Sequence, residues 1–420
     1  MQNYFSKANA ICPVWQMRNF IPTSFFVGSG KKEQFFYLTK SLFSDTLKMC
    51  LKQLDFCLGV DTMTQRERQI LRLIEADPMI SQEALADKLG IARSSVAVHI
   101  SNLIRKGCIA GRGYVLRTND YVVVVGGANV DICGRSWEPL VPEDSNPGLV
   151  SMSIGGVGRN IAHNLSLLGA DVRMLTACGD DLYGQRLCAA SAAAGIDMSR
   201  ILKLTDERTS TYLYVTGPDG EMAVAVSDMT ICERIDPEYL GKNLDLLQNA
   251  RAVVADTNIP TESLAWLAEN CTAPLFIDPV STLKAVKLPP ILGKIHTLKP
   301  NRLEAELLSG VPIREKADVE KAAAKLLETG LSRVFISLGG DGMYAATGDG
   351  CCWMENLPCR MVNTTGCGDS SMAALVWAYL EELSLPDTVR AALAAGSITI
   401  ESPETISPMM SADAIRERMG

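Results

Sequence analysis

No two cysteines in this 420-residue chain stand in a C-x-x-C arrangement, and its three histidines (His99, His163, His296) are far apart. That excludes the paired spacing of a zinc site. Thirteen cysteines are present, scattered through a chain long enough to bury a core without cross-links, so reduced thiols in a cytoplasmic protein are expected. No apolar run is long enough to span a bilayer. The N-terminus also lacks the basic start, apolar stretch and small-residue cleavage site of a secretion signal. No membrane partner is expected. Proline-rich and polar low-complexity tracts are missing too, and 47% of residues are hydrophobic, the composition of folded domains. The length points to two or three of them.

Excess positive charge is also lacking. The net charge of -8 excludes a protein that coats nucleic acid along its whole length. The charge is unevenly spread, however. Residues 63–118 hold nine Lys/Arg against five Asp/Glu, and residues 1–62 hold seven against four. Residues 119–420 hold 24 against 39. A basic module before an acidic body predicts two different partners.

Residues 1–62 carry aromatic clusters (Phe25-Phe26, Phe35-Phe36-Tyr37) and a helix-compatible run over 38–58, but no motif. Gly28-Ser-Gly-Lys-Lys lacks the earlier glycine and the following Ser/Thr of a phosphate loop, and is read as chance. A self-consistent stretch begins at Met63. The expectation is that the natural product starts there and that 1–62 is upstream sequence.

From Met63 the pattern gives three short helices. The first, 66–76, places Ile70, Leu71 and Ile74 on one stripe and stops at Asp77-Pro78. Ser81 caps the second, 82–89, which Gly90 ends. The third, 93–106, turns Val96, Ile100, Leu103 and Ile104 inward. Residues 108–116 read as a two-stranded wing turning at 111–113. Residues 63–118 thus resemble the winged helix-turn-helix of bacterial regulators, a small α+β domain whose third helix enters the major groove. That resemblance implies DNA as partner, with Arg93, Ser94, Ser95, His99 and Asn102 facing the groove and Arg105, Lys106 and Arg112 near phosphates. A helical dimerisation module is the alternative. Winged-helix proteins often act as dimers on two half-sites, so a homodimer is expected.

The large domain, 119–420, opens with a β-branched run at 121–125, the pattern of a parallel strand buried on both faces. Similar runs recur at 251–255, 275–277 and 334–337, separated by helical patterns at 160–168, 264–269 and 319–328. Alternating strands and helices predict an α/β layered domain. Residues 148–153 and 209–226, with a Gly217-Pro-Asp-Gly220 turn, read instead as antiparallel strands, a small sheet that serves as a lid.

The strongest chemical signal is Asn363-Thr-Thr-Gly-Cys-Gly-Asp369 ahead of a helix-forming run over 370–381. Gly366 and Gly368 let backbone N–H groups turn inward, and the helix adds its positive end, a site for a phosphoryl group. Asp369 at the helix start can accept a hydroxyl proton. Taken alone, the same residues also suit a glycine turn with a capping Asp.

Four further elements accompany it in order. They are Asn129-Val-Asp131, expected on the first strand, Gly155-Gly156-Val-Gly-Arg-Asn160, Asn301-Arg-Leu-Glu304 and Ser337-Leu-Gly-Gly-Asp-Gly342. Together with Thr365-Gly366-Cys367-Gly368-Asp369 they resemble the PfkB family of carbohydrate and nucleoside kinases, over essentially all of 120–420. The resemblance implies a ribokinase-like three-layer α/β/α domain with a small β lid, using ATP and Mg²⁺. It implies that Asn129, Asp131 and Asn160 serve the sugar hydroxyls, with Asp131 and Asn160 bonding them and Gly155 and Gly156 letting the backbone approach. Glu304 would hold Mg²⁺ through water, Asn301 would lie near the phosphates, and Ser337, Gly339, Gly340 and Gly342 would line the ATP channel. Asp369 would be the base, and Gly366, Cys367 and Gly368 the anion hole. Asn363 stands where many relatives have the aspartate of a monovalent-cation site, so potassium dependence is left open. The stretches Asp144-Ser-Asn-Pro-Gly148, 155–168 (GGVGRNIAHNLSLL), Thr209-Ser-Thr-Tyr212, 254–258, 276–281 and 296–306 resemble the bacterial pseudouridine kinases. That implies pseudouridine as substrate, with Thr211 and Tyr212 facing the base and Asn258 approaching it. Another nucleoside or a free sugar stays open, as does a ligand-sensing regulator built on a kinase fold.

Overall fold

The computed structural model describes residues 64–106, 108–109 and 120–420. The expectation for 1–62 lies outside them. The chain divides into two compact units between residues 117 and 118.

In the first unit, helix α1 (Gln65–Ala76) opens with a capping box. The Thr64 hydroxyl accepts from the Glu67 amide at 3.2 Å, and the Glu67 carboxylate accepts from the Thr64 amide at 2.7 Å. Each satisfies a donor the helix start leaves open. Ser81 caps α2 (Gln82–Leu89), and Gly90 ends it at φ 62°, a left-handed turn that costs glycine no steric clash. α3 (Arg93–Arg105) follows. Ile70, Ile74, Ile80, Leu85, Val96, Ile100, Leu103 and Ile109 form one core. Glu67, only 1% exposed, is held by Lys106 at 3.2 Å. Ile104, expected inward, is 50% exposed. The buried stripe of α3 centres on Val96, Ile100 and Leu103, and the residue after Leu103 rotates about 100° away from it. The expected wing and Arg112 lie outside the described residues, except for Cys108 and Ile109.

The second unit carries a nine-stranded sheet. Its strands in chain order are β1 (Tyr121–Val125), β4 (Asp171–Leu175), β6 (Ile196–Asp197), β10 (Ala252–Asp256), β11 (Leu275–Asp278), β12 (Thr297–Leu298), β13 (Arg333–Ser337), β14 (Met343–Thr347) and β15 (Gly350–Met354). A four-stranded sheet is made of β2 (Asn129–Ser136), β3 (Gly148–Gly155), β8 (Thr211–Thr216) and β9 (Met222–Asp228). β5 (Ala177–Gly179) and β7 (Leu202–Leu204) form a small pair. The large sheet runs β15-β14-β13-β12-β11-β10-β1-β4-β6, parallel from β6 to β13. β14 and β15 are an antiparallel extension at one edge.

The Val-rich β1 shows why this sheet has three layers. Val122 and Val124 belong to a core with Ile161, Leu165, Met372 and Val376, from the helices Val157–Leu167 and Cys367–Leu380. Val123 and Val125 belong to a second core with Leu264 and Leu267 of the helix Thr261–Asn270. Period-two alternation with both sets buried requires helices on both faces.

The lid sheet has order β3-β2-β8-β9. The expected antiparallel segments are there, as β3 and the β8–β9 hairpin, but β2 lies between them and pairs with β8 in parallel. Asn129-Val-Asp131 therefore belongs to the lid, not to the first strand of the core as expected. Its glycine-rich approach (Gly126, Gly127) breaks the strand after Val125 and redirects the chain.

Candidate active site

Strand ends and helix starts bring the expected residues together. Gly366, at φ 85°, leads into the helix Cys367–Leu380 without any side-chain cap. A side chain at Gly366 would meet the Thr405 carbonyl oxygen at 2.3 Å, so the turn requires glycine. The uncapped first turn leaves N–H groups directed outward, a fit for an anion. Asp369 sits in that turn, half-buried, and its Oδ2 accepts from the Asn160 carboxamide at 2.9 Å. Burial, and then the Asp278 carboxylate, push its pKa up to about 7. That is where a general base works best near neutral pH. Asn160 Oδ1 is buried and has no protein partner, so it is free to accept from a ligand hydroxyl.

Asn160 lies on the helix Val157–Leu167, which Gly155 and Gly156 introduce. A Cβ at Gly155 would come within 2.1 Å of Asp131 Oδ2, so glycine here makes room for that carboxylate. Asn129 donates to Asp131 Oδ1 at 2.6 Å. Burial raises the Asp131 pKa, against Asn129 and the nearby Arg159. Arg159 itself is 5% exposed and is pushed down to about 10 by burial.

Asn301 caps the helix Arg302–Ser309 in a capping box with Glu304, at 2.8 and 3.0 Å. The box occupies Glu304 Oε2. Burial raises the Glu304 pKa, and Asp278 adds to it. Paired buried carboxylates of this kind are relieved by a cation. Among the described residues no three His, Cys, Asp or Glu side chains converge to hold a metal directly. Glu304, with only Oε2 engaged in the capping box, is a single carboxylate donor of the kind that suits an ion held through water. Ser337 pairs with Asn301 across a bridge, and Gly339 and Gly340 form an exposed turn at the end of β13. Gly342 is buried, where a side chain would meet the Met354 carbonyl oxygen at 2.1 Å.

The structure adds detail at five further residues. Thr211 and Tyr212 are consecutive in β8 and so point to opposite faces. Tyr212 is level with Asp131, while Thr211 is level with Val130 on the other face. Asn258 is buried, and its carboxamide oxygen accepts from Lys284. Cys367 donates weakly to the Gly396 carbonyl at 3.7 Å, and burial pushes its thiol up to about 11, so it packs and stays protonated. Asn363 closes its loop, accepting from the Thr365 amide at 3.0 Å.

Sequence reasoning missed three charged residues. Lys299 and Asp278 pair at 3.2 Å, both under a tenth exposed. Lys299 Nζ would lie 3.6 Å from a Cβ at Gly368, which sets an ammonium beside the uncapped helix start. Asp256, fully buried, accepts from the amides of Gly127, Gly158 and Asn258 at 3.0, 2.7 and 2.8 Å. It ties the β1 exit, the helix bearing Asn160 and the end of β10 together. Lone Lys and Asp residues are usually solvated, so nothing in their own sequence marked them as buried.

In the first unit Arg93, Ser94 and Ser95 are exposed along α3, while His99 and Asn102 are half-buried. Arg93 reaches Glu83 at 3.4 Å, and Asn102 accepts from Arg105 at 2.8 Å.

A doubly covered α/β sheet with a β lid, and a carboxylate raised toward neutrality beside a buried lysine at an uncapped helix start, suit a phosphoryl-transfer enzyme. The chain belongs to the PfkB family of carbohydrate kinases, whose profile matches residues 119–412. It is accordingly a phosphotransferase with an alcohol acceptor. A winged helix-turn-helix DNA-binding profile matches 63–110. The chain is 42% identical over 298 residues to the pseudouridine kinase of Escherichia coli K12, covering 70% of this chain and 95% of that one. It is 40% identical over 355 residues to the uncharacterized sugar kinase YeiI of the same organism, covering 84% and 98%. A carbohydrate kinase structure from Agrobacterium tumefaciens superposes with TM-score 0.65 at 29% identity, covering 72% and 97%. The Arabidopsis thaliana ribokinase complexed with ribose and ATP gives 0.65 at 23%, covering 71% and 98%, a likeness of fold. Among the described residues no helix is long and apolar enough to cross a membrane.

Proposed function

We propose that this kinase transfers the γ-phosphoryl group of ATP to the 5'-hydroxyl of pseudouridine. The observation that carries the reading is the Asp369 carboxylate, bonded to Asn160 and raised toward neutrality at an uncapped helix start. Asn129, Asp131 and Asn160 hold the ribose hydroxyls, with Gly155 and Gly156 leaving the carboxylate room. Asp369 takes the 5'-hydroxyl proton as that oxygen bonds to phosphorus and the bond to the departing ADP oxygen breaks. The N–H groups of the 366–368 turn and Lys299 balance the charge that spreads over the phosphoryl oxygens. Asn301, Ser337, Gly339, Gly340 and Gly342 accommodate the nucleotide. Glu304 would hold Mg²⁺ through water, and the ion would supply positive charge against the phosphate oxygens. Asn363 brings no charge to the loop, which leaves potassium dependence open. The resemblance of the 42%-identical relative supports pseudouridine over other acceptors.

DNA binding through residues 63–118 accompanies catalysis, with Arg93, Ser94, Ser95, His99, Asn102 and Arg112 toward the duplex. A homodimer follows from pairing on two half-sites, and the outer lid face, with Val150, Val224 and Val226 exposed, offers a second copy an apolar surface. ADP release with ATP and Mg²⁺ against pseudouridine, uridine, adenosine, ribose and fructose tests the reading, with Asp369→Asn as control. Pseudouridine turnover that the substitution abolishes supports it. Tight binding of a panel member without turnover makes the chain a sensor instead.

A further inference from the structure

The two faces of the lid sheet differ sharply in chemistry. Alternation in β2, β3, β8 and β9 puts Ile132, Met152, Leu213 and Val226 together on one face. The opposite face carries Asp131, and with it Ser153, Cys133, Tyr212, Tyr214 and Ser227. Tyr212 is the direct neighbour of Asp131, and Tyr214 of Cys133. The two tyrosine rings are 5.6 Å apart at 35°, half-buried, and form a continuous aromatic surface beside the carboxylate assigned to the ribose. The Tyr212 hydroxyl donates to the Met222 sulfur at 3.7 Å.

We propose that Tyr212 and Tyr214 form a shelf on which the base of a nucleoside stacks, making Tyr214 a specificity-determining residue for nucleosides over free sugars. The inference rests on Asp131 binding the ribose of the acceptor. A nucleoside whose sugar hydroxyls reach Asp131 brings its base within reach of the lid, and among the described residues of the lid strands the aromatic rings on this face are those of β8. A free pentose has nothing to lay on them. Every nucleobase has a π-face, so the shelf selects for a base without selecting which one. Stacking on an aromatic side chain contributes about 1–3 kcal/mol per base, which is a factor of about 5 to 150 in KM.

The test uses the 420-residue chain as wild type, Tyr214→Leu, Tyr214→Phe and Tyr212→Leu. Steady-state kinetics are measured with pseudouridine, uridine and ribose, and calorimetric titration of the same compounds follows without ATP. The expected result is that Tyr214→Leu raises KM for the preferred nucleoside about 5- to 150-fold with a much smaller change in kcat. Its preference over ribose collapses correspondingly, and Tyr214→Phe keeps that preference because the ring remains. Tyr212→Leu gives the same direction and serves if the first variant fails to fold by circular dichroism. If wild-type protein binds ribose as tightly as any nucleoside, or if both leucine variants keep the wild-type preference, the shelf is wrong. If the preferred nucleoside is not pseudouridine but the leucine variants still abolish its advantage, the shelf stands and only the pseudouridine assignment falls.

Discussion

Acidifying the assay should silence the enzyme through Asp369, and two neighbouring substitutions should move that transition in opposite directions. With a pKa of about 7, the carboxylate is about one-tenth ionised at pH 6 and about nine-tenths at pH 8. kcat/KM, which reports the free enzyme, should therefore rise about tenfold across that interval. An aspartate at its ordinary 3.8 would leave the rate flat there. After burial, the largest cause of the raised value is the Asp278 carboxylate, and Lys299 opposes it. Asp278→Asn removes the repelling charge and leaves the Lys299 cation uncompensated, so both effects carry the midpoint to lower pH. Lys299→Met removes the cation and leaves Asp278 unpaired, so both carry it higher. ADP release from pH 5 to 9 at subsaturating acceptor measures all three profiles. Stability gives an independent reading. A folded pKa above the unfolded one makes ionisation oppose folding, with no cost below about pH 3.8, a growing cost up to about 7, and a constant one above. Asp369→Asn should thus raise Tm at pH 8 and leave it nearly unchanged at pH 4. The bound is about 4 kcal/mol, reduced by the solvent reaching a half-buried group. A flat wild-type profile between pH 6 and 8, or both substitutions shifting it the same way, would refute the reasoning.

Other perturbations have distinct signatures. Asp256→Ala deprives three buried amides of their acceptor at a cost of about 1–3 kcal/mol each. Urea unfolding should show a loss of at least about 3 kcal/mol, and a change under about 0.5 would contradict the tie. Gly155→Ala forces the Asp131 carboxylate aside, since the new methyl would stand 2.1 Å from Oδ2. KM for the acceptor should rise about tenfold or more while Tm stays within a few degrees, because only the far end of a side chain must move. Arg105→Ala should weaken DNA binding by fluorescence anisotropy and lower the dependence of log affinity on log salt by about one. An unchanged slope would remove Arg105 from the phosphate contacts.

Much of the fold was legible in residue order, because its causes are local. The β-branched run at 121–125 predicted a strand buried twice over, and Val122–Val125 do belong alternately to two cores. Ser81, Gly90 and the 363–369 loop announced their turns, since capping and left-handed backbone depend on the residues present there. The motif residues Asn160, Asn301, Glu304 and Asp369 were visible for the same reason. Partnership across the sheet was not. Sequence placed Asn129-Val-Asp131 in the first core strand, whereas pairing with β3 and β8 puts it in the lid. It put Thr211 with Tyr212, although alternation along β8 separates them. Nor did it single out Lys299, Asp278 or Asp256, because a charge is buried only when distant segments converge on it: Lys299 on Asp278 across neighbouring strands, and Asp256 on Gly127 and Gly158 more than ninety residues away. The sequence by itself determined the elements, their turns and the motif residues. The tertiary structure alone decided which face each group serves and how far its neighbours move its charge, since both depend on distances that chain order does not contain.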